Sequence, residues 1–241
     1  MRAGFRMRRL ASVLRRTPLH PQWLLENRAA TARRIASLAR GRVLDIGCSD
    51  RWIEAGLPAE CEYIGLDYPV TGGKLYGARP EVFADASSLP LADRVVDTVV
   101  MLEVLEHLRQ PSRALREAWR VLRPGGRLML TMPFLYPLHD APHDYQRYTV
   151  HGLCRDLQAA GLRVDVVTPS LGSAETAGLI ACLALGGMAL EAIEGRRISM
   201  LWTPLAAAAI VAINLGAWTV ARMLPSWGAL TAGYWLQASK P

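Results

Sequence analysis

The stretch Val43-Leu44-Asp45-Ile46-Gly47-Cys48-Ser49-Asp50 decides the fold. A short apolar run carrying one acid, ended by Gly47 and two small residues, reads as a buried strand leaving through a tight turn. Small residues there let backbone approach a ligand closely. In an open parallel sheet, ligands bind beyond the carboxyl ends of the strands, where the strand order reverses. One glycine after a strand is by itself an ordinary turn, so the reading depends on the neighbouring segments.

Outward from this turn, apolar strands are expected at Arg42–Ile46, Glu62–Leu66, Glu81–Ala84, Val95–Met101, Arg127–Thr131, Arg163–Thr168 and Tyr234–Ala238. They alternate with helical segments, the mark of a parallel sheet covered on both faces. Ser112–Leu122 is a helix closed by Arg123-Pro124-Gly125-Gly126, and Thr149–Ala160 is another that stops at Gly161. Pro21–Leu38 reads as an amphipathic helix ahead of the sheet. Asp67 ends the second strand in YIGLDY, where an acid can accept both ribose hydroxyls of an adenosine or simply cap a helix. Asp85 follows the third strand, placed to accept from an adenine amino group, with Leu89 and Leu91 walling the ring or joining the core.

The series VLDIGC, YIGLD, ADASSLPLAD, DTVVMLEVLEHL and VLRPGGRLMLTMPF, from Arg42 to Pro133, resembles the motif order of class I S-adenosylmethionine-dependent methyltransferases of the type 11 group. Tyr234–Pro241 resembles the closing strand of that family. The resemblance implies an α/β, Rossmann-like, seven-stranded and mostly parallel sheet with its last strand antiparallel, and S-adenosyl-L-methionine as cofactor. Carried over by position, Asp45, Gly47, Asp67, Asp85, Ala86 and Glu103 are the expected cofactor contacts, with Cys48, Ser49 and Tyr68 beside them. The family commonly has a glycine-rich GCGTG where this chain has Gly47-Cys48-Ser49-Asp50-Arg51. Ser49 is small enough to fit. Arg51 brings a long cation to the start of the following helix, where it would pair with the cofactor carboxylate or obstruct it.

Methyl transfer needs alignment and exclusion of water, and a base only when the acceptor is poorly ionised. Two polar clusters can meet that need. Glu103, Glu106 and His107 follow the fourth strand, and Tyr136–Thr149 follows the fifth. Such polar density on a loop at the active edge is more than packing requires. His139 or His143 is the expected base, with Asp140 or Asp144 orienting it and Arg147 holding an anionic part of the acceptor. His107 is read as a loop cap or a catalytic group. No metal is expected, because a loop with two prolines does not fix the spacing of His139 and His143. HDAPHDYQRYT (His139–Thr149) also resembles a stretch found among methyltransferases tied to surface-glycan and lipid-linked saccharide synthesis.

The 241 residues are 51% hydrophobic, and the excess sits late in the chain. Ala177–Leu190 and Ile198–Ala221 carry no charge, and the second run is long enough to span a membrane, although it contains Pro204 and Asn214. Both ends of this insert are held by the sheet, so it crosses an even number of times, lies in the interfacial plane, or forms a soluble lid or dimer interface. Residues 1–42 hold eleven arginines against Glu26 alone, a net +10 that leaves −3 on the rest of a chain of net charge +7. With Arg196, Arg197 and Arg222, that arm can meet anionic headgroups. The four cysteines have no zinc-like spacing and read as reduced thiols.

The expected organisation is therefore a basic arm and helix (1–40), a cofactor-binding core (41–172), a hydrophobic helical insert (173–224) and a closing strand (225–241). The function read from these features is methyl transfer to a small-molecule or lipid-linked acceptor at the cytoplasmic face of a membrane, by a chain able to form homo-oligomers. The alternatives are an RNA methyltransferase using the basic arm and an inactive, membrane-tethered cofactor-binding protein. Nucleic acid is disfavoured as partner, since no RNA-binding module accompanies the arm.

Overall fold

The computed structural model describes residues 14–25, 28–70, 72–73, 79–195 and 198–241. Arg2, Arg6, Arg8 and Arg9 of the basic arm, together with Arg196 and Arg197, lie outside these residues. Seven strands form one sheet: β1 (Arg42–Ile46), β2 (Glu62–Asp67), β3 (Val82–Phe83), β4 (Val96–Leu102), β5 (Leu122–Pro133), β6 (Arg163–Pro169) and β7 (Gly233–Ser239). Their spatial order is β3-β2-β1-β4-β5-β7-β6. The order reverses between β1 and β4, both of which pair in parallel with their neighbours, while β7 runs antiparallel to β5. This is the expected Rossmann-like sheet, with its ligand edge at the carboxyl ends of β1, β2 and β4.

Val43, Leu44, Ile46, Val99, Val100 and Met101 are all buried, as two-sided cover of central strands requires. Three helices flank the strands: α1 (Arg28–Ala36), α2 (Pro111–Val121) and α3 (Val150–Ala159). Pro111 sits in the first turn of α2, where its missing N–H costs nothing, and Ala114, Leu115, Ala118 and Val121 form the buried stripe. Thr149 caps α3 by accepting the Gly152 N–H at 3.1 Å, and Gly161 ends it at a φ of +88°.

Several boundaries differ from expectation. The helix expected from Pro21 starts only at Arg28, because the preceding described residues make turns. The carbonyls of Pro18 and His20, just ahead of that segment, accept from the Asn214 side chain at 2.7 and 3.0 Å. β3 shrinks to two residues at the sheet edge. β5 begins at Leu122, and the Arg123–Gly126 stretch read as a loop is absorbed into it with a register irregularity opposite Val96–Thr98. No α-helix follows β1. Ser49 and Arg51 both take positive φ (49° and 59°), which leaves turns and a single 3-10 turn at Glu54–Gly56.

The chain divides into two compact units. The larger comprises Glu26–Phe134, Leu138–Thr168 and Gly233–Pro241 and holds the sheet. The smaller comprises Met1–Leu25, Leu135–Pro137 and Pro169–Ala232. It contains α4 (Ser173–Glu194) and α5 (Thr203–Met223), joined through a 3-10 turn at Ile198–Trp202. The first of these helices is longer than its charge-free run, since it takes in Glu175, Glu191 and Glu194 at its ends.

Close approach of α4 and α5 depends on Gly178, where an added Cβ would stand 2.6 Å from that of Ala217. The two residues that counted against a spanning α5 have ordinary explanations. Pro204 lies in its first turn, and Asn214 is fully buried and bonded to Pro18 and His20. Ser173–Glu194 and Ile198–Met223 are each long and apolar enough to cross a membrane, with mean hydropathy 1.8 and only 22% and 11% of their apolar windows buried.

Candidate functional site

The loops at the carboxyl ends of β1, β2, β4 and β5 gather every sequence-nominated residue except Asp85 and Ala86, which follow β3. Four of the five non-glycine residues with positive φ among the described residues, Ser49, Arg51, Glu103 and Asp140, lie on these loops. Such strain persists only where the surroundings impose it, and it concentrates at sites. A cavity of about 590 Å³ with Arg40, Arg127, Arg163 and Lys240 in its lining opens at the opposite edge of the sheet, away from these loops.

On the cofactor side, Gly47 takes a φ of +77°, and an added Cβ would stand 2.6 Å from Val104 Cγ2. The turn's own N–H groups are engaged. Those of Gly47 and Cys48 donate to Leu66 O, and that of Ser49 donates to Asp67 Oδ2 at 2.8 Å. Asp67 Oδ1 accepts the Tyr68 N–H at 2.7 Å. Each oxygen of this buried carboxylate thus carries one bond, and a carboxylate can accept about four in all. Asp45 lies under the turn, 3% exposed, accepting from Tyr63 Oη at 2.7 Å. Burial lifts its carboxyl to about 7 against the pull of that hydrogen bond. Cys48 is buried too, its thiol pushed up to about 12 chiefly by burial, which makes it a small packing residue. Asp85 is exposed and accepts from Ser87 N–H at 2.7 Å, while Ala86 and Leu89 belong to the core with Leu91 packed on it.

Arg51 is engaged by the protein's own acids. Its guanidinium is bidentate to Glu54 at 2.7 and 2.9 Å, ion-paired with Glu81, and over the Tyr63 ring at 5.0 Å. Glu81 also accepts the Gly65 N–H at 2.6 Å, which anchors the cluster to β2. Two acids therefore neutralise the cation that stands in place of a family glycine.

On the acceptor side, the loop after β5 is stapled to the 3-10 turn Leu105–His107 after β4. Tyr145 N–H donates to Glu106 O at 2.8 Å, and Gln146 Nε2 donates to Leu105 O and to Leu108 O. His107 Nδ1 lies 2.7 Å from His143 O, so the proton sits on Nδ1, since a carbonyl only accepts. This gives His107 the loop-pinning role and leaves its Nε2 facing inward, with burial holding its pKa down. His139 Nδ1 is 3.3 Å from Asp144 Oδ2, and its backbone N–H donates to the same oxygen at 2.9 Å.

Of the expected pairings, the structure forms His139 with Asp144. His143 instead faces Tyr145 Oη at 3.4 Å. Arg147, expected to hold an anionic acceptor, forks onto both oxygens of Asp144 and also donates to Gln146 O. That fork holds Asp144 down at about 2, so the carboxylate behind His139 is always charged near neutral pH.

The sequence places Glu106 in a polar cluster with Glu103 and His107 but gives it no role of its own, because its setting is tertiary. It is fully buried, and neither carboxylate oxygen has a hydrogen-bond partner. Its Oε1 lies 3.8 Å from His107 Nε2 and 3.9 Å from His139 Nε2. The two imidazole rings stand edge to face at 4.9 Å. Burial, and then the neighbouring Glu103, push its carboxyl well above the usual range. Glu103 takes a φ of +54° with its N–H on Thr131 Oγ1 at 3.0 Å. It reaches solvent, yet protein surrounds it closely enough that desolvation raises its carboxyl as well.

Comparison with known proteins bears on this edge. A family model described as a methyltransferase domain matches residues 44–130. The "Probable S-adenosylmethionine-dependent methyltransferase" of Mycolicibacterium smegmatis is 33% identical over 180 residues, 69% of this chain and 68% of that protein. The 27-O-demethylrifamycin SV methyltransferase of Amycolatopsis mediterranei is 35% identical over 116 residues, 41% of each chain. Among solved structures, the cyclase SpnF superposes with a TM-score of 0.55 over 88% of this chain and 79% of its own, at 20% identity. That last likeness speaks to the fold alone, because one fold carries several chemistries.

Proposed function

This chain belongs to the S-adenosylmethionine-dependent methyltransferases, and from that premise we propose that it methylates a hydrophobic or lipid-linked acceptor at the carboxyl edge of its sheet. S-adenosylmethionine supplies an electrophilic methyl group with its leaving group built in. The residues present fit it. Asp67 retains capacity for the ribose hydroxyls after serving Ser49 and Tyr68, and exposed Asp85 can accept from the adenine amino group. Ser49 Oγ and the acids Asp45 and Glu103 complete the cationic end. Gly47 and Cys48 contribute shape, since their N–H groups are used within the turn. Across from these, Glu106, His107 and His139, backed by Asp144 and Arg147, form the wall that takes the acceptor's nucleophile and its proton.

The observation that carries the acceptor class is the pair α4 and α5. They are two apolar helices between β6 and β7, and large side chains on them (Met188, Leu205 and Met223) and on the turn that joins them (Ile198, Leu201 and Trp202) stand exposed. Exposed apolar surface on this scale is what a bilayer covers, and Arg222 and the basic arm would sit at its anionic face. The HDAPHDYQRYT resemblance adds a lipid-linked saccharide as the acceptor to try first.

The test is incubation of the protein with membrane extract and methyl-labelled S-adenosylmethionine. Label in an organic-extractable lipid is expected. Label confined to RNA or to water-soluble small molecules, or a protein that fractionates as a soluble monomer, refutes the reading.

A further inference from the structure

We propose that Glu106, His107 and His139 form a binding site for one first-row divalent metal ion, with Zn²⁺ the expected occupant. One potential ligand atom from each of the three residues lies within 4.8 Å of the others. Glu106 provides the independent observation. A fully buried carboxylate with both oxygens lacking a hydrogen-bond partner is costly to maintain, and its Oε1 points at both imidazole Nε2 atoms. A cation between these three atoms would remove that cost.

The outer contacts fit the same assignment. A metal-binding histidine typically donates its other ring N–H to a carbonyl or carboxylate, which fixes the tautomer and aims the lone pair. Both halves of that pattern are present: His107 Nδ1 on His143 O at 2.7 Å, and His139 Nδ1 at 3.3 Å from Asp144 Oδ2. Arg147 fixes Asp144 in turn. Two imidazoles and one carboxylate suit zinc or iron, whereas calcium and magnesium require more oxygen ligands. Ligands of a tetrahedral ion at ~2.0–2.1 Å stand about 3.3 Å apart, so each imidazole needs to close on Glu106 by about half an ångström, and a separation at the 4.8 Å limit of the cluster by about 1.5 Å.

The binding claim stands apart from the methyl-transfer reading, but its consequence rests on that reading. An acceptor hydroxyl at an open position of the ion would lose its proton to solvent more readily. Its oxygen would then form the O–CH3 bond as the C–S bond pair leaves on sulfur. His139 would act as a ligand in that event, and the base role read for it from the sequence would pass to the ion.

The experiment strips the purified full chain with a chelator and titrates it with Zn²⁺ and Co²⁺, while S-adenosylmethionine binding is measured on the same samples. One equivalent of metal is expected, with a visible Co²⁺ spectrum. Binding should weaken at least ~100-fold in Glu106→Gln and His139→Gln, and about 10–100-fold in Asp144→Asn, with cofactor binding retained. Substoichiometric uptake, or variants that bind metal as the parent does, overturns the proposal. Where a variant fails to fold, X-ray absorption of the zinc-loaded parent decides: imidazole scattering supports the site, and its absence overturns it. Loss of cofactor binding with metal binding intact would instead count against the methyltransferase reading.

Discussion

Gly47→Ala is the substitution whose cost the structure fixes most closely. The residue sits at a φ of +77°, where an L side chain carries about 1–2 kcal/mol of strain. The new methyl would stand 2.6 Å from Val104 Cγ2, a branched side chain only 9% exposed, so it cannot swing clear. Overpacking of that kind costs typically ~1–3 kcal/mol. Alanine also stiffens the unfolded chain, which returns about 0.4–1 kcal/mol. The net loss is then about 1–5 kcal/mol, centred near ~3, or a fall in Tm of roughly 6–12 °C at that centre for a domain of this size.

Thermal unfolding read by circular dichroism measures this directly. Gly73→Ala is the matched control, because an added Cβ there meets nothing within 4 Å. The double variant with Val104→Ala separates the two causes. It should recover the steric part and leave the backbone part, giving a coupling of about 0.5 kcal/mol or more. A Gly47→Ala protein that melts within a degree or two of the parent refutes the claim that this turn is locked against Val104.

Further outcomes follow from the same geometry. Arg51→Gly loses exposed ion pairs but relieves a φ of 59°, so stability should change by less than ~1 kcal/mol, and S-adenosylmethionine affinity measured by calorimetry should stay within threefold. Asp45 keeps its proton up to about pH 7 when folded and loses it near 3.8 when unfolded, so its contribution is fully present below about pH 4 and falls as pH rises to 7. The loss is on the order of 4 kcal/mol, and urea unfolding of Asp45→Asn should show a correspondingly flatter pH profile. Asn214→Leu removes both bonds from a fully buried amide to the half-buried carbonyls of Pro18 and His20, which should destabilise the smaller unit by about 1–3 kcal/mol, read by proteolysis within it in detergent.

The sheet was legible because its central strands are apolar runs ended by acids and glycines, and their register followed from the motif order. What escaped the sequence is non-local. The helix expected after β1 fails because three residues in five, Gly47, Ser49 and Arg51, adopt positive φ. The front helix loses its first turns to the turn bonds Trp23 N–H to His20 O and Leu25 N–H to Gln22 O, beside a contact of Pro18 and His20 with Asn214 nearly two hundred residues away. Arg51 looked like an obstacle because Glu81 comes from another strand edge. Asp144 could be nominated from its neighbours in the loop, but only folding shows that it serves His139 and occupies Arg147. The meeting of Glu106 with His139 across 33 positions has no local signal at all.

The central claim, that the acids at the carboxyl edge of β2 and β3 hold S-adenosylmethionine, is tested most directly by calorimetric titration of the parent chain, Asp67→Ala and Asp85→Ala. One cofactor per parent chain is expected. Asp67→Ala should weaken binding at least ~10-fold, the scale of losing one or two hydrogen bonds to a charged group. Asp85→Ala should weaken it less while melting as the parent does, since its side chain is exposed. A parent chain that binds no S-adenosylmethionine, or an Asp67→Ala variant that folds and binds it equally well, would contradict the account.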